Sequence, residues 1–326
     1  MPINLHQFPK ELILEVLRNV DLRGLILYSL LSINSKKYAT SLNYKASTME
    51  ISFGRSLTIQ FIFLNSISNS YLKLEVPNDG LFIDKKLPRG AEMSETRLDG
   101  LEFFNTGERN IGEVVEHFSR TFHCSEQKTM EFHMKQKLFK PGQILQRFGN
   151  PSTLTILGDD EVENSEILET FRRVDTLYLQ RKDQDLQSVL IRNFNCLVYG
   201  LLGSVPLSLD DLLCLNSTSF TATGAQISQR EINLFFKLWI AGSNPRLAHL
   251  EIQIWNQILN REVILKGIPY VAIPDDVERI VESSGEFLMG HRIQGGFDVW
   301  RRDGTKGTIL IDLWSGDEGV ELIVWK

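Results

Sequence analysis

Leu177-Tyr178-Leu179, then the helix-like Leu186–Ile191, then Leu197-Val198-Tyr199 decide how this chain folds. Alternate residues in each triplet are leucine or tyrosine, the period of a strand with one buried face. The pattern continues in both directions. Upstream lie Thr129–Met134 and Leu154-Thr155-Ile156; downstream lie Thr218-Ser219-Phe220 and Leu250-Glu251-Ile252. Met130, Leu154, Leu177, Leu197 and Thr218 follow one another at 20 to 24 residues, with 32 more to Leu250. Helical segments fall between them at Ile144–Phe148, Ser165–Phe171, Leu209–Leu213 and Ser228–Ile240, and Ile111–Phe122 precedes the first. A strand and a helix recurring at this period are the mark of a leucine-rich-repeat-like solenoid, whose units bury their apolar faces only by stacking. The asparagine ladder of leucine-rich repeats is missing, so a layered α/β domain is the other architecture the pattern allows.

The flanks read differently. Met49–Phe53 alternates at period two and Leu57–Leu64 is a β-branched and aromatic run, so strands are expected from about Met49 to Val76. Pro77–Arg109 is rich in Pro, Gly and charge and reads as a long irregular connection. Beyond Ile254 the rhythm stops. Gly295–Trp300, the turn Asp303-Gly304, Thr308–Leu313, Ser315-Gly316-Asp317 and Val320–Trp325 predict an antiparallel meander that pairs with the early strands. Trp300, Trp314 and Trp325 on those strands read as packing residues. The fold class expected is mixed, α+β or α/β: a short N-terminal helical module over 1–46, strands and a connecting segment over 47–110, and a domain over 111–326. Within that domain the solenoid covers about 111–265 and the meander about 290–326.

The N-terminal module carries more apolar surface than it can hide. Of the 38 residues from Leu5 to Leu42, 19 are apolar, against 42% for the chain, and a unit this small is marginal even with a complete core. A first helix is expected from about Glu11 to Val20, with Leu12, Ile13, Val16, Leu17 and Val20 at helical spacing. A second, from about Leu22 to Leu31, is apolar nearly all round and must be covered on two sides. Pro9 suits the first position of a helix, and Asp21 suits the cap of the next. A basic segment, Ser35-Lys36-Lys37-Tyr38, follows.

That order resembles an F-box: Phe8-Pro9 for the opening leucine-proline pair, Asp21-Leu22 between helices, and a polar-basic third helix with Tyr38 as its nearest aromatic. The resemblance implies docking to the Skp-family adaptor of a cullin-RING ubiquitin ligase, with Phe8, Pro9, Leu12, Val16 and Leu22 at the centre of the interface. Further on, Leu209-Asp210-Asp211-Leu212-Leu213, Trp239–Leu247, Gly296-Phe297-Asp298 and Arg302-Asp303-Gly304-Thr305 resemble the nematode F-box-associated type 2 domain. This implies a non-catalytic substrate receptor. The alternative is an interaction scaffold unrelated to ubiquitination, in which the N-terminal helices cap the solenoid. In a strand–helix stack the residues between the leucines face outward, giving the row Glu131, His133, Thr155, Tyr178, Gln180, Glu251 and Gln253. Tyr178, Gln180, Glu251 and Gln253 are the expected target-binding residues.

Composition and motifs exclude several other classes. A net charge of −6 and a pI near 5.6 argue against nucleic acid, whose phosphates need a basic face. No stretch approaches the apolar length of a membrane span, and no secretory signal is apparent. Three cysteines, Cys124, Cys196 and Cys214, make no disulfide framework, so a cytoplasmic or nuclear protein is expected. His117, His123, His133 and Cys124 lack the paired spacing of a zinc site. Asp159-Asp160-Glu161 with Glu163 lacks the glycine and spacing of a calcium loop. Gly200–Gly203 and Gly304–Thr308 lack the P-loop pattern, and no nucleophile elbow is present. No catalytic residue, metal or cofactor is expected.

Overall fold

The computed structural model describes the chain outside residues 1–6, 55, 65–68, 78–90, 96–101, 105–109, 125–127, 134–139, 159, 181–185, 201–202, 256, 283–288, 312–317 and 326. The Ser315-Gly316-Asp317 turn, Trp314, Asp159 and Met134 lie outside the described residues. The chain divides into two compact units, residues 1–153 with 169–173, and residues 154–168 with 174–326.

The first unit opens with three helices, α1 (Lys10–Arg18), α2 (Leu22–Leu31) and α3 (Ile33–Ser41). Pro9 precedes α1, which ends two residues before the expected Val20. Asp21 caps α2 as its place predicts, accepting a 2.7 Å hydrogen bond from the Gly24 amide. Five strands follow, β1 (Thr48–Phe53), β2 (Ser56–Leu64), β3 (Asn69–Pro77), β4 (Ala91–Glu95) and β5 (Glu102–Phe104), then α4 (Ile111–Thr121), β6 (Lys128–Phe132) and α5 (Pro141–Phe148). The strand order is β6-β1-β2-β3-β4-β5. Strands β1 to β5 form an antiparallel meander and β6 runs parallel to β1.

Strands β4 and β5 correct the expectation of an irregular 77–109 connection: each pairs with its predecessor, so ladder hydrogen bonds override the weak local pattern. Aromatic rings join α4 to the sheet, with Phe61 6.0 Å from Phe118 and Phe63 5.2 Å from Phe122, both edge-on. Phe53 stacks on Phe132 at 4.7 Å.

The second unit runs β7 (Thr153–Ile156), α6 (Glu161–Thr170), β8 (Thr176–Leu179), α7 (Leu186–Leu190), β9 (Cys196–Tyr199), β10 (Val205–Pro206), α8 (Leu209–Cys214), β11 (Ser219–Ala222), β12 (Ala225–Gln226), α9 (Gln229–Ala241), β13 (His249–Gln253) and α10 (Arg261–Ile264). Four longer strands close it, β14 (Val271–Glu282), β15 (Met289–Trp300), β16 (Lys306–Ile311) and β17 (Gly319–Val324). The strand order is β14-β15-β16-β17-β13-β11-β9-β8-β7, with β10 and β12 in a small ladder of their own. From β8 to β13 the pairing is parallel, and Leu177, Leu197, Phe220 and Leu250 lie in one register row, each at most 1% exposed. The Leu-x-Leu signal was therefore read on the correct face. Helix α9 closes over that side with Ile232, Phe235, Phe236 and Trp239 fully buried.

The closing strands pair antiparallel. They differ from the expected meander in two ways. Strand β14 was not anticipated, because Pro274-Asp275-Asp276 interrupts its alternation at an irregularity in register between Ile273 and Glu278. Strand β17 pairs with β13 rather than with the early strands. The whole is a mixed α/β fold with N-terminal helices and mainly antiparallel strand pairing in the first unit and at the C-terminus.

Candidate functional site

Two surfaces hold the residues singled out by the sequence. The first is on α1 and α2. Helix α1 carries two apolar stripes about 100° apart. Ile13 and Leu17 face inward, at 0% and 2% exposure; Leu12 and Val16, spaced four apart, remain 46% and 41% exposed, and Phe8, ahead of the helix, is 42% exposed. The single stripe expected over Leu12, Ile13, Val16, Leu17 and Val20 thus divides into an inward and an outward pair. Pro9 is exposed and Leu22 is half-buried. On α2, Leu25, Ile26 and Ser29 are buried, whereas Leu27 and Leu31 are exposed, as is Ile33 at the start of α3. The inward side rests on the same unit: Ser29 Oγ lies 3.1 Å from His117 Nε2 on α4, and His123 Nε2 lies 3.1 Å from the Thr40 carbonyl. The all-round apolar α2 is thus covered on one side only.

His117, His123 and His133 have protein partners, His133 meeting Glu131 at 2.7 Å. Among the described residues no His, Cys, Asp and Glu cluster could hold a metal. Burial pushes the Cys124 thiol above its usual value, with Lys128 opposing. A reactive thiol needs the opposite.

The second surface is the sheet face turned away from α9 in the second unit. Tyr178 is half-buried and pairs with Val198; the row continues through Thr221 and Glu251 to Glu321. Gln180 departs from the expected outward row: it is 6% exposed, and among the described residues its Oε1 meets no hydrogen-bond partner. Glu251 and Gln253 are half-buried and joined by a 2.8 Å hydrogen bond. Of the four expected target-binding residues, the structure brings these two together.

One register step away is a polar chain that the sequence reading missed. His249 Nδ1 lies 3.1 Å from Ser219 Oγ, and His249 Nε2 lies 2.9 Å from Glu321 Oε1, all three residues being buried. A neutral imidazole protonated at Nε2 satisfies both contacts, donating to the carboxylate and accepting from the hydroxyl. The alternation Ala248-His249-Leu250-Glu251 already placed His249 beside Glu251 on the outward face, so the signal was present.

Nearby, Asp298 on β15 is held by Arg279 Nη1 at 2.8 Å, Lys306 Nζ at 2.7 Å and Thr308 Oγ1 at 2.7 Å. Burial works to raise its pKa, but the hydrogen bonds from Lys306, Thr308 and Arg279 outweigh it and hold the carboxyl below its ordinary value. Trp325 Nε1 donates to Thr308 Oγ1 at 2.8 Å, so Trp325 is a packing residue as expected, while Trp300 is 46% exposed.

Ser219, His249 and Glu321 are all buried, so the hydroxyl beside the imidazole is closed to solvent. Residues 185–252, α7 through most of β13, match the family model described as F-box associated. The chain is also similar to the F-box associated domain-containing protein sdz-33 of Caenorhabditis elegans, 30% identical over 121 residues, 36% of this chain and 36% of that protein. The chain thus matches little more than a third of that curated relative. No solved structure matches it. The resemblance to the nematode F-box-associated family is borne out. The family-model match does not reach α1 to α3. Among the described residues no helix is long and apolar enough to cross a membrane.

Proposed function

We propose that this chain is a non-catalytic substrate receptor of an SCF-type ubiquitin ligase. Its helices α1 to α3 act as the F-box module, about residues 1–46, that binds the Skp-family adaptor and through it a cullin. The single observation that carries the reading is the set of exposed apolar side chains in this module: Leu12 and Val16 on α1, Phe8 ahead of it, Leu27 and Leu31 on α2, and Ile33 at the start of α3. An exposed apolar set beside a complete inward one marks an interaction site, and it lies upstream of F-box-associated sequence. Pro9 and Leu22 complete the adaptor interface.

The 111–326 region takes the target. The parallel strand–helix run from β8 to β13 is read as a leucine-rich-repeat-like solenoid that presents Tyr178, Glu251 and Gln253, with the buried Gln180 following β8. The F-box-associated family is one of interaction domains, so ubiquitin transfer belongs to other subunits and no cofactor is needed. The protein acts in the cytoplasm or nucleus, without nucleic acid or membrane.

The scaffold alternative is favoured by one observation, the packing of the inward face of α1 and α2 within the first unit, as a cap would pack. Co-expression of the tagged full chain with a Skp-family adaptor separates the two. The receptor reading expects adaptor to be retained by the wild type and lost with Pro9→Ala plus Leu12→Ala. Absence of adaptor from the wild type overturns it.

A further inference from the structure

The β14–β15 hairpin does more than extend the sheet. Strand β15 pairs with β16 over Phe297–Trp300, and the distal half of the hairpin lays Val281 and Ile293 on Ile323, with Leu310 and Trp325 packed beside them. Between the hairpin and strands β16 and β17 it leaves a cavity of about 540 Å³. Gly295 and Gly296, at φ 64° and 98°, line the bend, where a Cβ on Gly296 would come within 2.6 Å of Leu310 Cδ2. A side chain there would crowd the cavity wall. The volume lies in the range of a ligand site.

The lining is graded. Glu321 lies at the buried end with its side chain 10% exposed, held through Oε1 by His249. Among the described residues that is its one hydrogen bond. Ile293 and Leu310 supply aliphatic sides. The two arginines in the lining, Arg261 and Arg292, are exposed, and Arg292 is engaged by Glu278 at 2.7 Å. Water screens charge at an exposed mouth, whereas a carboxylate at a buried end acts at nearly full strength.

We propose that this cavity receives an arginine side chain of a target protein. The aliphatic stem of arginine packs on Ile293 and Leu310, and its N–H groups donate to Glu321. An acidic side chain would meet a buried like charge. A purely apolar one would leave that carboxylate desolvated with no cation. The inference deepens the receptor reading and rests on it for the occupant being a ubiquitination target.

The test titrates the isotopically labelled full chain with N-acetyl-arginine methylamide, its citrulline counterpart and its glutamate counterpart. Citrulline keeps the shape of arginine and removes its charge. The expected result is chemical-shift change confined to the Gly296, Leu310 and Glu321 surroundings, with citrulline and glutamate binding about tenfold or more weakly. Glu321→Gln should weaken the arginine probe about tenfold or more while leaving adaptor retention unchanged. Equal binding of arginine and citrulline by the unaltered chain overturns the proposal, as do preference for glutamate and absence of any shift at the cavity. Adaptor retention is scored separately and bears only on the receptor reading.

Discussion

His249 Nε2 lies 2.9 Å from Glu321 Oε1, joining β13 to β17 where the parallel part of the second unit's sheet meets the antiparallel part. With Ser219 behind it, the imidazole satisfies one polar group on each neighbouring strand. Replacing it leaves both without a protein partner. His249→Leu should destabilise by about 1–3 kcal/mol, and adding Glu321→Leu should recover part of that loss, because removing both partners is milder than orphaning one. Urea unfolding of the two single mutants, the double mutant and wild type measures the coupling. Strict additivity would show that the contact contributes nothing.

Asp298 gives the pH dependence a sign. A carboxyl held below its unfolded value contributes stability that is complete above the unfolded pKa, about 3.9, and is lost as pH falls through the lower folded value. Asp298→Asn removes the charge facing Arg279 and Lys306 and should cost about 3 kcal/mol at pH 7. The gap between mutant and wild type should narrow as pH drops below about 4. A gap unchanged from neutral to acid pH would mean that these ion pairs do not set the stability of the hairpin.

Gly200 ends β9 at φ 89°, and a Cβ there would lie 2.4 Å from the Thr223 carbonyl oxygen, a backbone atom with little freedom to yield. Gly200→Ala should destabilise by at least about 1–3 kcal/mol. A thermal midpoint equal to that of wild type would contradict the geometry.

Much of this was legible in the sequence. Strands β6 to β9, β11 and β13 announced themselves because one face packs under helices, which forces alternation at Leu177, Leu179, Leu197 and Tyr199. Strand β14 did not, since both of its faces are largely exposed and nothing selects a period there. Strands β4 and β5 were hidden for a related reason: their pairing is set by the ladder from β3 and not by local preference. The outward row was legible as a pattern, but Gln180 is enclosed, and burial of a strand's end depends on chain distant in sequence. The His249–Glu321 contact spans 72 positions, and no spacing rule reaches that far.

The two stripes of α1 should separate stability from binding. Ile13→Ala removes a fully buried side chain and should cost about 2–4 kcal/mol. Leu12→Ala with Val16→Ala, on the exposed stripe, should shift stability by only about 0.5 kcal/mol per site. Paired chemical denaturation curves check this. A large loss from the outward pair would mean that the stripe is packed within the chain.

The central claim is that α1 and α2 bind a Skp-family adaptor, and the most direct test is amide hydrogen exchange on the full chain with and without purified adaptor. The account predicts slowed exchange confined to Phe8–Leu17 and Leu27–Ile33, with the second unit unchanged. Unaltered exchange in both segments at saturating adaptor, or protection appearing on the second unit instead, would contradict it.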